Sequence, residues 1–454
     1  MTENQAQAPE PDSGPNAGPI STVIESPEPW KRVVKASIDR AHFDQEYTNR
    51  LKKAAKSHQK PGFRKGRTPR AVVEKEMGDL IRSETVEALV PKAWMTALME
   101  HKLAPVSDPT LENLDFGEEG PLKFDLVVEV RPEIELGDTD GLAIKRREVE
   151  TTDKDIDQVL ERLLESRAEY EKIDRAAAED DQILLDLVPA GPEGDFPEDG
   201  KIVDQRFVLG SPNNMAAFNE GLLGCEAGQE KTVTVDYPED HPNETLKGRS
   251  MAFRCLVREV AAKKLPELND EFADAVAEGK TLADLRGDIR ADLEKENAKR
   301  VEQEMDRQVQ EELVKRHDVS LPPSMVSRYL DSGLEEMHKR NAQMGRPDSE
   351  DEDREYLEAG KPHAEKAIAA MLLLEAVRRK EDIKVTAEDV DERIEQMALE
   401  NGFDVDRYKE FVNSGEEKER LEYDLLERRT YDFLLSRAEI EMVPADTDVI
   451  GEKE

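Results

Sequence analysis

Residues 207–242 read FVLGSPNNMAAFNEGLLGCEAGQEKTVTVDYPEDHP, and this stretch decides the fold of the middle of the chain. Segments 207–209 and 231–237 are apolar or alternate between apolar and polar residues, which is typical of short strands. Between them lie glycines, a proline and two adjacent asparagines, the residues that favour turns. The stretch therefore predicts a small domain rich in β-strands.

Further strand-like segments extend this domain in both directions. Residues 183–188 precede the quoted stretch and residues 251–260 follow it, so the β-rich region covers residues 175–262. Residues 151–174 are predicted to form a helix that begins with a capping box at Thr152 and Asp155. The same pattern starts another predicted helix at Thr386 and Asp389. The repeat suggests that the β domain is inserted into one helical body, although a shared preference for this N-cap explains it equally well.

The remaining chain divides by composition and periodicity. Residues 1–30 are rich in Pro, Gly, Ser and Asn and are predicted to be a disordered tail. Residues 31–142 form an α+β unit with two helices over 69–101 and a strand over 122–130. After residue 265 the chain is predicted to be helical to about residue 442, with breaks at Pro322-Pro323 and at 345–347, and then a flexible tail over 443–454.

The composition excludes several classes of protein. The 454 residues carry 65 Lys and Arg against 104 Asp and Glu, a net charge of −39, which argues against a DNA-coating protein. The longest apolar run, residues 367–374, is too short to span a membrane. The N-terminus lacks the pattern of a signal peptide, so a cytoplasmic location is expected. Two cysteines, no CxxC and no HExxH predict neither a disulfide framework nor a metal site, and no cofactor-binding motif is present.

One segment reverses the overall charge. Residues 31–75 contain 14 Lys or Arg and four Asp or Glu, a net charge of +10. Such a concentration of cations favours a polyanionic partner. The alternative is a basic face that docks onto the protein's own acidic helices.

A loop lies at the centre of this basic segment, in the sequence KPGFRKGRTP at residues 60–69. Its two glycines favour a tight exposed loop, and Pro69 is suited to begin the next helix. Phe63 can pack against a protein surface while Arg64 and Lys65 reach phosphate groups.

Taken together, these motifs resemble the bacterial trigger factor family. The loop at 60–69, the stretch at 207–242, LKGRSMAF at 246–253 and LPELNDEF at 265–272 occur in that family's order. The resemblance implies a multidomain α+β fold. Its parts are a ribosome-binding domain (31–142), a discontinuous long-helix chaperone body (143–174 and 263–442) and an inserted antiparallel isomerase domain like FK506-binding proteins (175–262).

The resemblance also implies partners. Phe63, Arg64 and Lys65 would contact ribosomal protein and 23S RNA on the large ribosomal subunit, at the peptide exit tunnel. The protein would keep nascent unfolded polypeptides in an open conformation for folding or export. No cofactor, DNA or membrane partner is expected, and whether the free protein forms a homodimer is left open.

The expected activity of the β domain is isomerisation of the peptide bond before proline, whose barrier is about 18–20 kcal/mol. An apolar groove that excludes water can lower this barrier without an acid, a base or a metal. Residues resembling the family's pocket are Phe207, Met215, Phe218 and Phe253, whereas Leu187 and His241 stand where an aromatic residue is usual. Two alternatives remain: these residues are only a domain core, or the domain is a weak isomerase that holds peptides.

For the helical body, the chaperone hypothesis requires scattered apolar residues that hold clients weakly. The candidates are Met325, Tyr329, Leu330, Tyr431 and Phe433, each of which could instead be a core residue. A protein of another class, an acidic helical scaffold that binds RNA through the basic segment, would have no clients.

Overall fold

The structure is a computed structural model that describes residues 18–57, 69–116, 120–191, 195–197, 200–212, 214–237, 247–413, 415 and 417–449. The chain forms two compact units: residues 1–147 with 303–454, and residues 148–302. The second unit is therefore inserted in sequence between two parts of the first. In the described part of the chain no helix is both long and apolar enough to cross a membrane.

The N-terminal region combines an antiparallel sheet of strand order β1-β2-β4-β3 with two helices. Its elements are β1 (Ile20–Glu28), β2 (Lys31–Ile38), α1 (Arg40–Ser57), α2 (Arg70–His101), β3 (Thr110–Asp115) and β4 (Leu122–Glu129). The next strand along the chain, β5 (Ala143–Glu148), is not part of this sheet. Leu89, Ala93 and Ala97 on α2 pack with Phe124 and Leu126 of β4 in a buried core. This core fixes the second half of α2 on one face of the sheet.

Two sequence predictions for this region are wrong. Residues 20–28 are not part of a disordered tail, because they form β1 and pair with β2. The composition of residues 1–30 concealed a short alternating segment around Ile20 and Ile24, whose side chains pack against the core. Residues 70–101 form one helix instead of two, because the buried Leu89 and Ala93 hold it together across Pro91.

The central region is built on a five-stranded antiparallel sheet. The sheet has the order β6-β10-β7-β8, and β9 pairs with the first half of β10. Its elements are α3 (Asp153–Ser166), β6 (Glu169–Ile173), β7 (Gln182–Pro189), β8 (Ile202–Val208), α4 (Ala216–Leu222), β9 (Glu230–Asp236), β10 (Ser250–Lys264), α5 (Asp270–Val276) and α6 (Leu282–Arg316). The four predicted strands of the β domain are thus confirmed as β7 to β10.

The start of α3 was predicted correctly and its end was not. Thr152 and Asp155 form the capping box, but the helix ends at Ser166, and residues 169–173 pair with β10 as β6. Helix α3 packs with α5 and the first part of α6 around Ile156, Leu160 and Phe272. These helices lie in the second compact unit, although the sequence prediction assigned them to the helical body.

The C-terminal region is helical, with the predicted breaks in place. Its elements are α7 (Pro323–Gln343), α8 (Glu350–Lys380), α9 (Ala387–Glu400), α10 (Val405–Asn413), α11 (Glu417–Ser436) and β11 (Glu439–Pro444). Thr386 and Asp389 form the second capping box, at the start of α9. The chain does not continue as helix to residue 442, because β11 pairs with β5, and Val443, predicted to begin a flexible tail, is buried. The expected multidomain α+β fold class is confirmed.

Candidate functional site

Three phenylalanine rings meet on one face of the central sheet. The ring centroids of Phe207 and Phe218 are 5.3 Å apart, and those of Phe218 and Phe253 are 5.4 Å apart. Both pairs are tilted, a favourable arrangement for aromatic rings. Phe207 and Phe253 are partly buried and pack against the buried cluster that contains Phe218 and Leu187. We name these four residues and Met215 the apolar groove.

Strand register brings the groove residues together. Phe207 on β8 lies opposite Ile183 of β7, and Phe253 on β10 lies opposite Val233 of β9. Leu187 on β7 pairs with Cys255, two residues from Phe253 on β10. Because side chains alternate along a strand, this register places the rings and Leu187 on the same face of the sheet.

Helix α4 supplies the third ring and the exposed edge of the groove. Met215 is the N-cap residue of α4, and its carbonyl accepts a hydrogen bond from the Phe218 N–H at 2.9 Å. Gly221 allows α4 to pack closely on β9, since a Cβ at this position would lie 2.8 Å from Val233 Cγ2. A side chain at position 221 would push α4 outward and separate Phe218 from the other two rings.

A hydrogen-bonded loop holds the start of α4. The Asn214 amide donates to the Val208 carbonyl at 2.6 Å and to Asn219 Oδ1 at 3.0 Å, and Asn219 in turn donates to the Ser211 carbonyl at 3.2 Å. This network ties the end of β8 to α4 and therefore fixes Phe207 relative to Phe218. Sequence reasoning did not identify this role for Asn214 and Asn219.

The groove has a buried floor and an open edge. Phe218 and Leu187 are each 6% exposed, whereas Met215 is 45% exposed. Phe207 and Phe253 are half-buried. Four of the six predicted pocket residues therefore lie in one cluster, Met215 is the N-cap residue of the helix that carries Phe218, and His241 falls outside the described residues. An apolar surface that is partly open to solvent can accept a prolyl ring and remove water from the adjacent amide.

A charged cluster lies on the opposite face of the sheet. The Asp186 carboxylate accepts hydrogen bonds from Arg258 Nε at 2.9 Å and the Asp204 N–H at 3.1 Å, and Lys201 Nζ lies 3.1 Å away. Arg258 lies in a β-bulge of the β7–β10 pair, which directs its side chain to Asp186. The guanidinium, aided by these other donors, lowers the pKa of Asp186 to about 2. The charged side chains of Asp186, Arg258 and Lys201 therefore pair with one another and do not face the groove.

Both cysteines are core residues. Cys225 and Cys255 are fully buried in the cluster that supports the groove. Burial raises the pKa of the Cys225 thiol, and it raises the pKa of Cys255 to about 11. Thiols held in the protonated form are poor nucleophiles, so these residues contribute packing and no chemistry.

The basic segment contains α1 and α2, which pack through Leu51, Val73 and Ile81. The proposed docking residues Phe63, Arg64 and Lys65 lie in the sequence between these helices and outside the described residues. Four cations near the adjoining helix ends are exposed and ion-pair with no residue that the structure describes: Lys52, Lys56, Arg70 and Lys75. These cations are therefore not docked on any acidic helix in the described part of the chain, which argues against the alternative for this part of the segment.

With this geometry in place, comparison with known proteins identifies the family. The family model described as bacterial trigger factor protein (TF) matches residues 20–163, and the model for its C-terminus matches residues 281–436. The chain belongs to the trigger factor family. A trigger factor from Moorella thermoacetica is 36% identical over 406 residues, covering 86% of this chain and 89% of that protein. The trigger factor from Natranaerobius thermophilus is 32% identical over 435 residues, covering 92% and 97%.

Membership of the trigger factor family makes the chain a chaperone with an isomerase-type domain, and the structure places the five predicted client-binding residues. Tyr329 is 45% exposed, Met325 is half-buried, and Phe433 is half-buried beside Arg437. Leu330 and Tyr431 are core residues, which corrects the expectation that they face clients. Tyr431 accepts a hydrogen bond from Gln310 at 2.5 Å, and burial raises its pKa to about 12.

Sequence reasoning missed a more exposed apolar patch on α9 and α10. Leu399 is 71% exposed, Phe403 56% and Phe411 65%. The rings of Phe403 and Tyr408 are stacked with centroids 5.5 Å apart. The signal in the sequence is the spacing of the aromatic residues over 403–411, which stand among charged residues. Within the described residues, no group of three or more His, Cys, Asp or Glu side chains is placed to hold a metal ion.

Proposed function

We propose that this member of the trigger factor family docks on the large ribosomal subunit through its basic segment, shields nascent chains and isomerises their prolyl bonds in the apolar groove. Docking would place it in the cytoplasm, and the partners would be ribosomal protein and 23S RNA beside the exit tunnel. Residues 31–142 would form the docking domain, and residues 175–262 the isomerase domain. Tyr329, Met325 and Phe433, together with the patch on α9 and α10, would hold clients weakly.

The observation that carries the isomerase proposal is the cluster of Phe207, Phe218 and Phe253 beside the exposed Met215. Rotation about the bond before proline breaks the resonance of the amide, and water stabilises the planar, charge-separated form. A prolyl ring seated on the three phenylalanines would bring its amide into an apolar surrounding. There the twisted amide, which has lost its charge separation, is favoured over the planar form.

The groove performs this task without proton transfer. The ionised Asp186 is bound to Arg258 on the other face of the sheet, and the thiols of Cys225 and Cys255 are buried and protonated. Leu187 contributes an apolar side chain without a ring to the floor of the groove, so stacking at that position is lost. We therefore expect an isomerase that is active but weaker than one with an aromatic residue at this position.

The test is protease-coupled isomerisation of an Xaa-Pro tetrapeptide by the full chain. The variant is Met215→Ala, because Met215 begins the helix that carries Phe218 and is exposed enough for alanine to leave the fold intact. We expect kcat/KM to fall by about 5-fold, in line with a lost apolar contact of roughly 1 kcal/mol.

The matched control is Leu223→Ala, at the other end of α4, where the side chain is 52% exposed and outside the groove. This control should retain the wild-type rate. Absence of any acceleration by the folded wild-type chain would instead indicate a holdase whose isomerase-type domain only binds peptide.

A further inference from the structure

A cleft at the C-terminal end of α8 has the features of a separate binding site. Its volume is about 550 Å³, which is typical of sites that hold a peptide segment or a small ligand. We name it the α8 cleft. It is lined by Arg131, residues of α8 between 371 and 379, residues 382–384, and Tyr423 and Leu426 of α11. A second recess shares Arg131, Glu375 and Arg379 with it, so the opening continues along α8.

The walls of the α8 cleft combine cations with apolar surface. Arg131, Arg378, Arg379 and Lys384 supply four positive charges, and Glu375 and Asp382 supply two negative charges. Arg131 is paired with Glu375, and Lys384 Nζ lies 2.6 Å from Asp382. Met371, Ile383 and Leu426 provide the apolar part. The cleft thus has a net charge of +2 on a chain whose net charge is −39.

Arg378 is the group that indicates a ligand. Its guanidinium carbon lies 5.4 Å from the centroid of the Tyr423 ring, which holds the side chain in place. Its Nε is buried and has no hydrogen-bond partner. Arg379 ion-pairs with no residue in the described ranges. A buried donor without an acceptor is unfavourable, and an acceptor that enters the cleft would remove this cost.

The dipole of α8 does not by itself explain why these cations lie around one cleft. Arg378 and Arg379 lie in the last turn of α8, where cations interact with the helix dipole. Arg131, however, follows β4, and Lys384 follows the turn in which the Ile383 N–H donates to the Arg378 carbonyl at 3.0 Å. Cations from three separate segments therefore converge on one opening that is lined by apolar side chains.

We propose that the α8 cleft binds a peptide segment of a client in which a carboxylate lies next to an apolar side chain. Arginine binds carboxylates through paired N–H groups, and Met371, Ile383 and Leu426 would take the apolar side chain. Glu375 and Asp382 disfavour a phosphate, whose charge of about −2 exceeds that of a single carboxylate. The inference rests on the proposed client binding and identifies one class of client, acidic segments that the rest of this acidic chain would repel.

The experiment measures the anisotropy of a labelled peptide of about ten residues, in which Glu alternates with Leu and Phe, as full-length protein is added. A second peptide carries Gln in place of each Glu. Wild-type protein should bind the Glu peptide about tenfold more tightly than the Gln peptide. The double variant Arg378→Gln, Arg379→Gln should lose this difference.

The control is the double variant Arg346→Gln, Arg354→Gln, which makes the same change of charge at exposed positions outside the cleft. It should retain the preference for the Glu peptide. If the Arg378 variant fails to fold, as judged by circular dichroism, the variant Lys384→Gln replaces it, because Lys384 is 72% exposed; this variant should weaken the preference severalfold.

Three results would overturn the proposal: equal binding of both peptides by wild-type protein, an equal loss in the control variant, or displacement of the Glu peptide by inorganic phosphate at an ionic strength where chloride has no effect. Ribosome co-sedimentation and suppression of aggregation by wild-type protein are measured alongside. Their absence would contradict the proposed function itself, whereas their presence with no preference for the Glu peptide would contradict only this inference.

Discussion

The apolar groove and the basic segment use charge in opposite ways. Around the groove the ionised groups satisfy one another, since Asp186 binds Arg258 and lies beside Lys201 on the far face of the sheet. Around the basic segment, Lys52, Lys56, Arg70 and Lys75 remain exposed with no acidic partner in the described chain. The difference shows which region is suited to a neutral ligand and which to a polyanion. A prolyl amide needs a dry apolar wall, whereas ribosomal RNA needs cations that are not already neutralised.

The largest effect is expected from removing the cationic loop. Replacing Phe63, Arg64 and Lys65 together by alanine should lower the affinity for ribosomes roughly 100-fold, because the proposal assigns two phosphate contacts and one apolar contact to these side chains. Co-sedimentation with 70S ribosomes measures the change, and circular dichroism checks the fold. The matched variant, with Lys361, Lys366 and Leu399 changed to alanine, removes two exposed cations and one exposed apolar residue elsewhere and should bind normally. Normal binding by the loop variant would disprove the docking assignment.

A smaller effect, on stability, is expected from removing the carboxylate of Asp186 on the face of the sheet opposite the groove. The pKa of Asp186 is lowered from its ordinary value of 3.8 to about 2, and the side chain is 1% exposed. Its ionised form therefore stabilises the fold above pH 3.8, and this contribution is lost as the pH falls through about 2. Asp186→Ala should lower the free energy of unfolding at pH 7 by about 2 kcal/mol.

Amide hydrogen exchange in β7, β8 and β10 measures this loss at the place where it occurs. Glu259→Ala is the control, since the Glu259 carboxylate is 38% exposed and its pair with Lys172 is expected to contribute less than about 1 kcal/mol. Equal protection of these strands in wild type and Asp186→Ala would show that the paired charges do not support the groove.

The smallest effect concerns a charge whose pairing depends on pH. His338 Nε2 lies 2.8 Å from Asp353 Oδ1 between α7 and α8, and this hydrogen bond, with Asp348 nearby, raises the pKa of His338 above 6.5. The stabilisation is fully present below pH 6.5 and is lost as the pH rises through the raised pKa. The protection factors of amides in α7 and α8, which are corrected for the intrinsic rise of exchange with pH, should fall slightly above this range. His338→Gln should remove this change in protection, whereas His363→Gln, at an exposed position, should keep it.

The groove residues were predicted better than the client surface, because the resemblance to the family's pocket supplied them as a set. The structure brings the rings of Phe207, Phe218 and Phe253 together. Alternation along the strands is the physical reason that Phe207 and Phe253 share one face of the sheet. On the long helices, an apolar residue has the same appearance in sequence whether it is buried or exposed. For this reason the buried Leu330 and Tyr431 were predicted to bind clients, and the exposed Phe403 and Phe411 were overlooked.

Some features depend on contacts between distant parts of the chain. The bulge at Arg258 that meets Asp186 involves residues 72 positions apart, and the pairing of β11 with β5 joins the end of the chain to residue 143 and beyond. The strand β1 was missed for a different reason, since composition over 30 residues outweighed a short alternating segment. The capping boxes at Thr152 and Thr386 were predicted correctly because they depend only on neighbouring residues.

The central claim is that docking and isomerisation are carried out by two separate regions, one in each compact unit. The most direct test measures both activities on both variants: ribosome co-sedimentation and Xaa-Pro isomerisation for the alanine variant of the loop, and the same two measurements for Met215→Ala. We predict that the loop variant loses only ribosome binding and that Met215→Ala loses only isomerisation rate. Loss of both activities in either folded variant would contradict the account.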